Sequence, residues 1–260
     1  MRPRSSARWI PHYHGAWAMI IIPPILGIVA GGFNWRHVLL LALWWLGYFD
    51  FFAIGLWLRS RRKKRFLPPV ISYTIPCLIL GVSLALTAPH LLVWVPIFLP
   101  LIVITFWQSA IRADRSMLND TVTVLAASLL LPVSYQVSMA GDPPVTPHHM
   151  WLMTTLVFGY FLGTVFYVKT NIRQRANRSW LVLSVIWHLL FTSLSALAST
   201  GFWFADDEQL STWHTLVWLV LTIRAWAVPT WGERHGWVSA KILGIGEIIA
   251  SIAVTVTLLG

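Results

Sequence analysis

Residues 165–180 read VFYVKTNIRQRANRSW. An apolar helix runs into a polar stretch with four basic groups, Lys169, Arg173, Arg175 and Arg178, and then aromatic and aliphatic residues resume. Two readings are open. The stretch is the positive collar that holds a membrane helix at the lipid surface, or it is the outline of a catalytic loop without its carboxylates.

The same alternation recurs along the chain. Its 260 residues are 57% hydrophobic and only 11% charged, with 17 tryptophans. A water-facing surface needs more polar groups than that. Apolar runs of about 20 residues, enough to cross a bilayer, recur from end to end. The net charge of +10 sits in short loops between those runs. Membrane topology therefore explains it better than nucleic acid does, and no nucleic-acid partner is expected. Cys77 is the single cysteine, so no intramolecular disulfide can form. The basic start MRPRSSAR precedes an apolar run from Gly15 to Phe33 that is too long for a signal core, and it reads as a retained first span.

Nine spans are expected, near 15–33, 37–58, 68–88, 91–110, 118–140, 150–170, 179–200, 211–231 and 242–259, as a single multi-pass domain. Alternating sides then place 18 of the 19 basic residues on one face, with Arg36 alone opposite. The positive-inside rule makes that face cytoplasmic, with the N-terminus inside and the C-terminus outside. The loop GDPPVTPHH at 141–149 and Asp206-Asp207-Glu208 fall outside. Pro23-Pro24, Pro96, Pro100 and Pro132 interrupt spans and invite kinks.

A repeat is also legible. GYFDFFAIGLWLRSRRKKR (47–65) aligns with GYFLGTVFYVKTNIRQR (159–175), setting Arg61 on Arg173 and Lys63 on Arg175. It suggests a bundle of two repeated halves with paired cytoplasmic loops.

PHYHGAWAMIIIPPILG (11–27), LRSRRKKRFLPP (58–69), VKTNIRQRANR (168–178) and GIGEI (244–248) resemble the YwiC-like family of bacterial membrane proteins over nearly the full chain. Nine helices with polar cytoplasmic loops after the second and sixth are also similar to the UbiA superfamily of intramembrane prenyltransferases. That resemblance implies a UbiA-like all-α bundle and a cytoplasm-facing site for a prenyl diphosphate held through magnesium by two aspartate-rich motifs. Asn171, Arg173 and Arg178 are similar in residue type to the Asn and Arg of the second motif, but Gln174 and Asn177 stand where carboxylates belong. The loop after the second span offers only Arg and Lys. Magnesium needs carboxylate oxygens, so no cofactor or metal is expected and whether the chain is an enzyme stays open.

Three ionisable residues fall inside spans: Asp50, Arg224 and Glu247. Each costs about 2.5–3.5 kcal/mol to insert, so each needs a partner or a wet cavity. Either Arg224 pairs with Glu247 or Asp50, or all three line a cytoplasmic cavity beneath the basic loops. His12 and His14 are interface anchors or a polar lid. Asn119 and Asp120 read as a helix cap, His148-His149 as an ordered loop, and His188 as a packed, hydrogen-bonded residue. No P-loop, dinucleotide fingerprint, nucleophile elbow or HExxH occurs.

The basic stretch 59–65 holds six charges in seven residues, more than orientation needs. The expected substrate-binding set is therefore Asp50, Arg59, Arg61, Lys63, Lys169, Asn171, Arg173, Arg175, Arg224 and Glu247. In it, guanidinium groups clamp a phosphate without metal. The expected ligand is an anionic amphipathic lipid such as an isoprenoid phosphate, at a bacterial plasma membrane. The competing reading is a non-enzymatic transporter, or an accessory subunit of a respiratory or envelope pathway. Topology is directly testable. A cysteine placed at Gly141 is expected to label from outside intact cells, and one at Ala176 only after permeabilisation; labelling of both from one side refutes the nine-span order.

Overall fold

An apolar segment in lipid has to satisfy its own backbone N–H and C=O groups, and a helix does so within the segment. A computed structural model describes residues 9–11, 16–138, 143–201 and 209–260, and the described residues form helices and no strand. The N-terminal arginines Arg2, Arg4 and Arg8, the expected lid residues His12 and His14, Gly141 and the acidic 206–208 lie outside the described residues.

The helices are α1 (Ala16–Gly31), α2 (Arg36–Arg59), α3 (Leu67–Thr87), α4 (Val95–Ala110), α5 (Met117–Ser128), α6 (Leu130–Val137), α7 (Pro147–Ile172), α8 (Arg178–Ala198), α9 (Thr212–His235) and α10 (Ala240–Leu259). Short 3-10 turns at Lys64–Phe66 and Pro89–Trp94 lead into α3 and α4. With α5 and α6 taken as one interrupted helix, the described residues hold nine, the number expected.

The prolines act differently according to position. Pro132 lacks an N–H and its ring crowds the Ser128 carbonyl, and the helix is interrupted at Leu129 between them. Pro96 lies in the first turn of α4, where a missing N–H breaks no helical bond. Helix α1 continues through Pro23-Pro24 and α4 through Pro100. Among the described residues seven helices are long and apolar enough to cross a membrane, the mark of a multi-pass membrane protein. Two of the nine expected spans fall short of that measure. Helix α1 has only 16 residues, about 24 Å at 1.5 Å per residue. Helix α9 carries Arg224, Glu233 and Arg234.

The chain divides into two compact units, Met1–Thr146 and Pro147–Gly260. In the first, α2 lies along α3, and α1 lies against α6. The α1–α6 contact is backbone on backbone. A Cβ at Gly27 would sit 2.2 Å from the Leu131 carbonyl oxygen, and one at Gly31 would sit 2.6 Å from that of Tyr135. Small residues four apart allow this approach, which in lipid replaces the hydrophobic drive that water would supply. At the end of α6, the buried His37 ring accepts the Asn34 N–H at Nδ1 and donates from Nε2 to the Ser134 carbonyl at 2.8 Å. Trp94 Nε1 donates to Gln136 Oε1 at 2.8 Å, and Tyr135 Oη donates to the Val145 carbonyl at 2.7 Å.

In the second unit, α8 packs on both α7 and α9, while α10 touches α7 and α9. Gly159 lies beneath the Phe191 ring, 2.1 Å from where its Cβ would be, and its carbonyl accepts Trp187 Nε1 at 2.8 Å. Trp218 is fully buried, stacks on Phe191 at 5.3 Å and donates to His214 Nε2. His188 is buried, with Nδ1 2.7 Å from the Ser184 carbonyl, the packed role expected of it.

The glycine seam in the first unit gives a sharp test. Gly27→Leu drives a side chain into the Leu131 carbonyl and is expected to cost about 1–3 kcal/mol or more. Tryptophan-monitored thermal unfolding in detergent checks this, with Gly81→Leu as control, because a Cβ at Gly81 meets nothing within 4 Å.

Candidate functional site

The first unit holds a half-open cavity of about 540 Å³. Its walls come from α1 to α6, and along α2 they run from Leu40 to Ile54. That is about 21 Å of helix at 1.5 Å per residue. Leucine, isoleucine and aromatic side chains make up most of the wall, and among the described residues Asp50 is the only charged one in it. Asp50 is half-buried and accepts one hydrogen bond, from Thr74 Oγ1 to Oδ1 at 2.9 Å.

At the end of α2, Arg59 is committed elsewhere. Its Nη1 lies 3.2 Å from Asp114 Oδ2, while Ser109 Oγ donates to Asp114 Oδ1 at 2.8 Å. The Asp114 carbonyl accepts Asn119 Nδ2 at 2.8 Å, and Ser116 Oγ donates to Gln108 Oε1 at 2.8 Å. This knot ties the α4–α5 turn to α2. Ser116 is the cap of α5, accepting the Asn119 N–H at 3.0 Å, so the expected cap at Asn119 and Asp120 moves to Ser116. The reason is register: Asn119 already lies inside the first turn. Beyond Arg59, Arg61, Arg62 and Lys63 are exposed; Arg61 has φ 60° and Arg62 φ 58°, and the Arg62 guanidinium lies 5.9 Å from the Trp57 ring centre.

The second unit holds a polar cluster at mid-helix. Arg224 Nη1 lies 2.8 Å from Glu247 Oε1, close enough for an ion pair though not aligned as a hydrogen bond, and its guanidinium sits 4.2 Å above the Tyr167 ring. Glu247 Oε2 accepts Thr164 Oγ1 at 2.8 Å, and Tyr160 Oη lies 3.0 Å from Ser251 Oγ. The ion-pair alternative for Arg224 and Glu247 is the one that the geometry realises. Arg224 Nε and Nη2 are buried without a hydrogen-bond partner.

The end of α7 and the turn to α8 bond mostly within themselves, although Asn171 Oδ1 is buried without a partner. Asn171 is buried, donates from Nδ2 to the Tyr167 carbonyl at 2.9 Å, and its own carbonyl accepts Arg175 Nε at 2.9 Å. The Arg175 guanidinium lies 5.4 Å from the Trp237 ring centre, and Lys169 Nζ lies 5.8 Å from that of Trp180. Arg173 is exposed. Asn177 Oδ1 caps α8 through the Ser179 N–H at 3.1 Å, so a residue in a carboxylate position of the outline serves the helix instead. His148 and His149 fall in the first turn of α7, not in a loop, because Pro147 is well suited to open a helix.

Sequence reasoning missed Asp114 by counting its loop only as positive. It also missed Tyr160, Thr164 and Ser251, whose signal is spacing: Tyr160 and Thr164, like Glu247 and Ser251, stand four apart on one helix face. Among the described residues no three His, Cys, Asp or Glu side chains gather where they could hold a metal.

Fold and site together define a multi-pass helical membrane protein with charged groups inside its spans. A YwiC-like protein profile matches residues 10–135. A Bacillus subtilis protein described as uncharacterized protein YwiC is 32% identical over 244 residues, covering 92% of each chain. An uncharacterized Haemophilus influenzae protein is 24% identical over 181 residues, covering 70% of this chain and 74% of its own. The chain belongs to the YwiC-like family. No solved structure matches it.

The ion pair makes an asymmetric prediction. Arg224→Ala strands Glu247 and is expected to cost about 3–5 kcal/mol, whereas Arg224→Ala with Glu247→Gln recovers part of the loss. Thermal unfolding of both variants checks it; a double variant no more stable than the single one refutes the coupling.

Proposed function

We propose that the protein binds an anionic amphipathic lipid, such as an isoprenoid phosphate, from the cytoplasmic leaflet of the bacterial plasma membrane. The observation that carries this reading is the 540 Å³ apolar cavity on the same helix that ends in the basic stretch. Its volume falls within the roughly 300–1,000 Å³ usual for small-molecule sites. The chain of the lipid occupies the cavity. Its headgroup meets Arg61, Lys63 and Lys64, which follow the last α2 wall residue by a few turns of chain.

Arg61 and Lys63 support the reading because their side chains are exposed and make no ion pair among the described residues, unlike Arg59. Basic groups beside the headgroup layer attract anionic lipid by about 1 kcal/mol each. Arg173 carries the same chemistry in the second unit. The resemblance to intramembrane prenyltransferases supports a lipid-shaped cavity, with transfer chemistry that does not use the usual aspartates. A second reading, a transporter or accessory subunit, is favoured by the Arg224–Glu247 pair, because ionisable groups inside spans mark transport and relay pathways.

Mass spectrometry of lipid co-purified with the protein tests the first reading. A lipid phosphate is expected, retained in EDTA and lost steeply as salt rises. Arg61→Ala with Lys63→Ala is expected to weaken its binding by about tenfold or more. Release on chelation, or equal slight losses from every basic-to-Ala change, refutes the cation-held headgroup.

A further inference from the structure

The cavity of the first unit has a feature that a lipid tail leaves uncompensated. Asp50 is the only charged residue in its wall among the described residues, and the same wall includes Trp44, Tyr48, Phe51, Trp94, Phe98 and Phe106. Thr74 occupies one carboxylate oxygen, and Oδ2 accepts no hydrogen bond among the described residues. Asp50 has no ion pair among the described residues either, in contrast to Asp114 and Glu247, each of which faces an arginine. An ionised carboxylate inside a span is retained only against a partner or water. Among the described residues the wall supplies no cation, so a positively charged occupant compensates Asp50 where a neutral or anionic one does not.

The rings decide what kind of cation fits. A small, strongly hydrated ion would exchange its water for a single carboxylate and apolar groups, which is unfavourable. A hydrophobic organic cation loses little hydration, and aromatic faces attract its positive charge. The Phe51 and Phe106 rings stack at 5.7 Å, and Trp94 meets Phe98 edge-on at 6.4 Å. We infer that the cavity of the first unit binds hydrophobic organic cations, with the positive centre held against Asp50 and the apolar groups against the surrounding rings. This goes beyond the lipid reading and depends only on the cavity, not on the basic stretch.

The test uses the purified full-length protein in detergent, with radiolabelled tetraphenylphosphonium as ligand and equilibrium dialysis as readout. Tetraphenylborate, of nearly the same shape and opposite charge, is the control. Tetraphenylphosphonium is expected to bind saturably and tetraphenylborate to bind about tenfold or more weaker. Asp50→Asn is expected to reduce phosphonium binding by at least about tenfold, while Asp50→Glu keeps it within a few-fold. Glu233→Gln makes the same change in net charge at an exposed site outside the wall and is expected to leave binding unchanged.

Equal binding by wild type and Asp50→Asn overturns the inference, as does equal binding of the two ions by the wild type. If Asp50→Asn does not fold, the comparison of the two ions on the wild type and the retention of binding by Asp50→Glu decide the matter. Absence of phosphonium binding by protein stripped of its lipid, when the unstripped protein holds lipid phosphate, refutes this inference alone. Phosphonium binding without any lipid phosphate refutes the lipid reading alone.

Discussion

Backbone polar groups within lipid have no water to turn to, and this constraint governs the rest of the structure. Where a helix is whole, its own ladder meets the need. Where proline breaks the ladder, side chains have to take over. Where α6 ends at Val137, the Ser134 and Gln136 backbone carbonyls are met by the His37 and His90 rings, and Trp94 donates to the Gln136 side chain. The trio is polar for a reason that has nothing to do with catalysis.

The same constraint shapes the two kinds of interior. Close helix approach through Gly27, Gly31 and Gly159 yields dense packing, and there serine and threonine hydroxyls return to carbonyls one turn back. The first unit keeps an apolar void with one carboxylate in its wall. The second unit places charge in its interior, but as an arginine–glutamate pair with a hydroxyl shell. One unit neutralises its buried charge internally, and the other leaves Asp50 to an occupant.

Much of the architecture was legible in the sequence because apolar length and proline position are local properties. The nine helices follow from them. What escaped reading depended on pairing. Asp114 was hidden by the arginines around it, although that setting is the reason it finds Arg59. Ser116 outranked Asn119 as a cap because a shift of three residues changes which side chain faces the free N–H groups. Arg224 and Glu247 stood out by their rarity within spans, but only coordinates choose between a pair and a cavity lining. The aromatic wall of the cavity was beyond reach, since its rings come from α2, α4 and the turn before α4.

The two arginines after α2 hold left-handed backbone, at φ 60° and 58°. That conformation is costly for a residue with a Cβ, about 1–2 kcal/mol each, and glycine adopts it freely. The turn thus carries local strain for the sake of its side chains. Glycine at 61 or 62 would relax the backbone while deleting the guanidinium, which separates two quantities that an alanine substitution confounds. A functional deficit in such a variant belongs to the missing charge, because the fold itself would be under less tension than before.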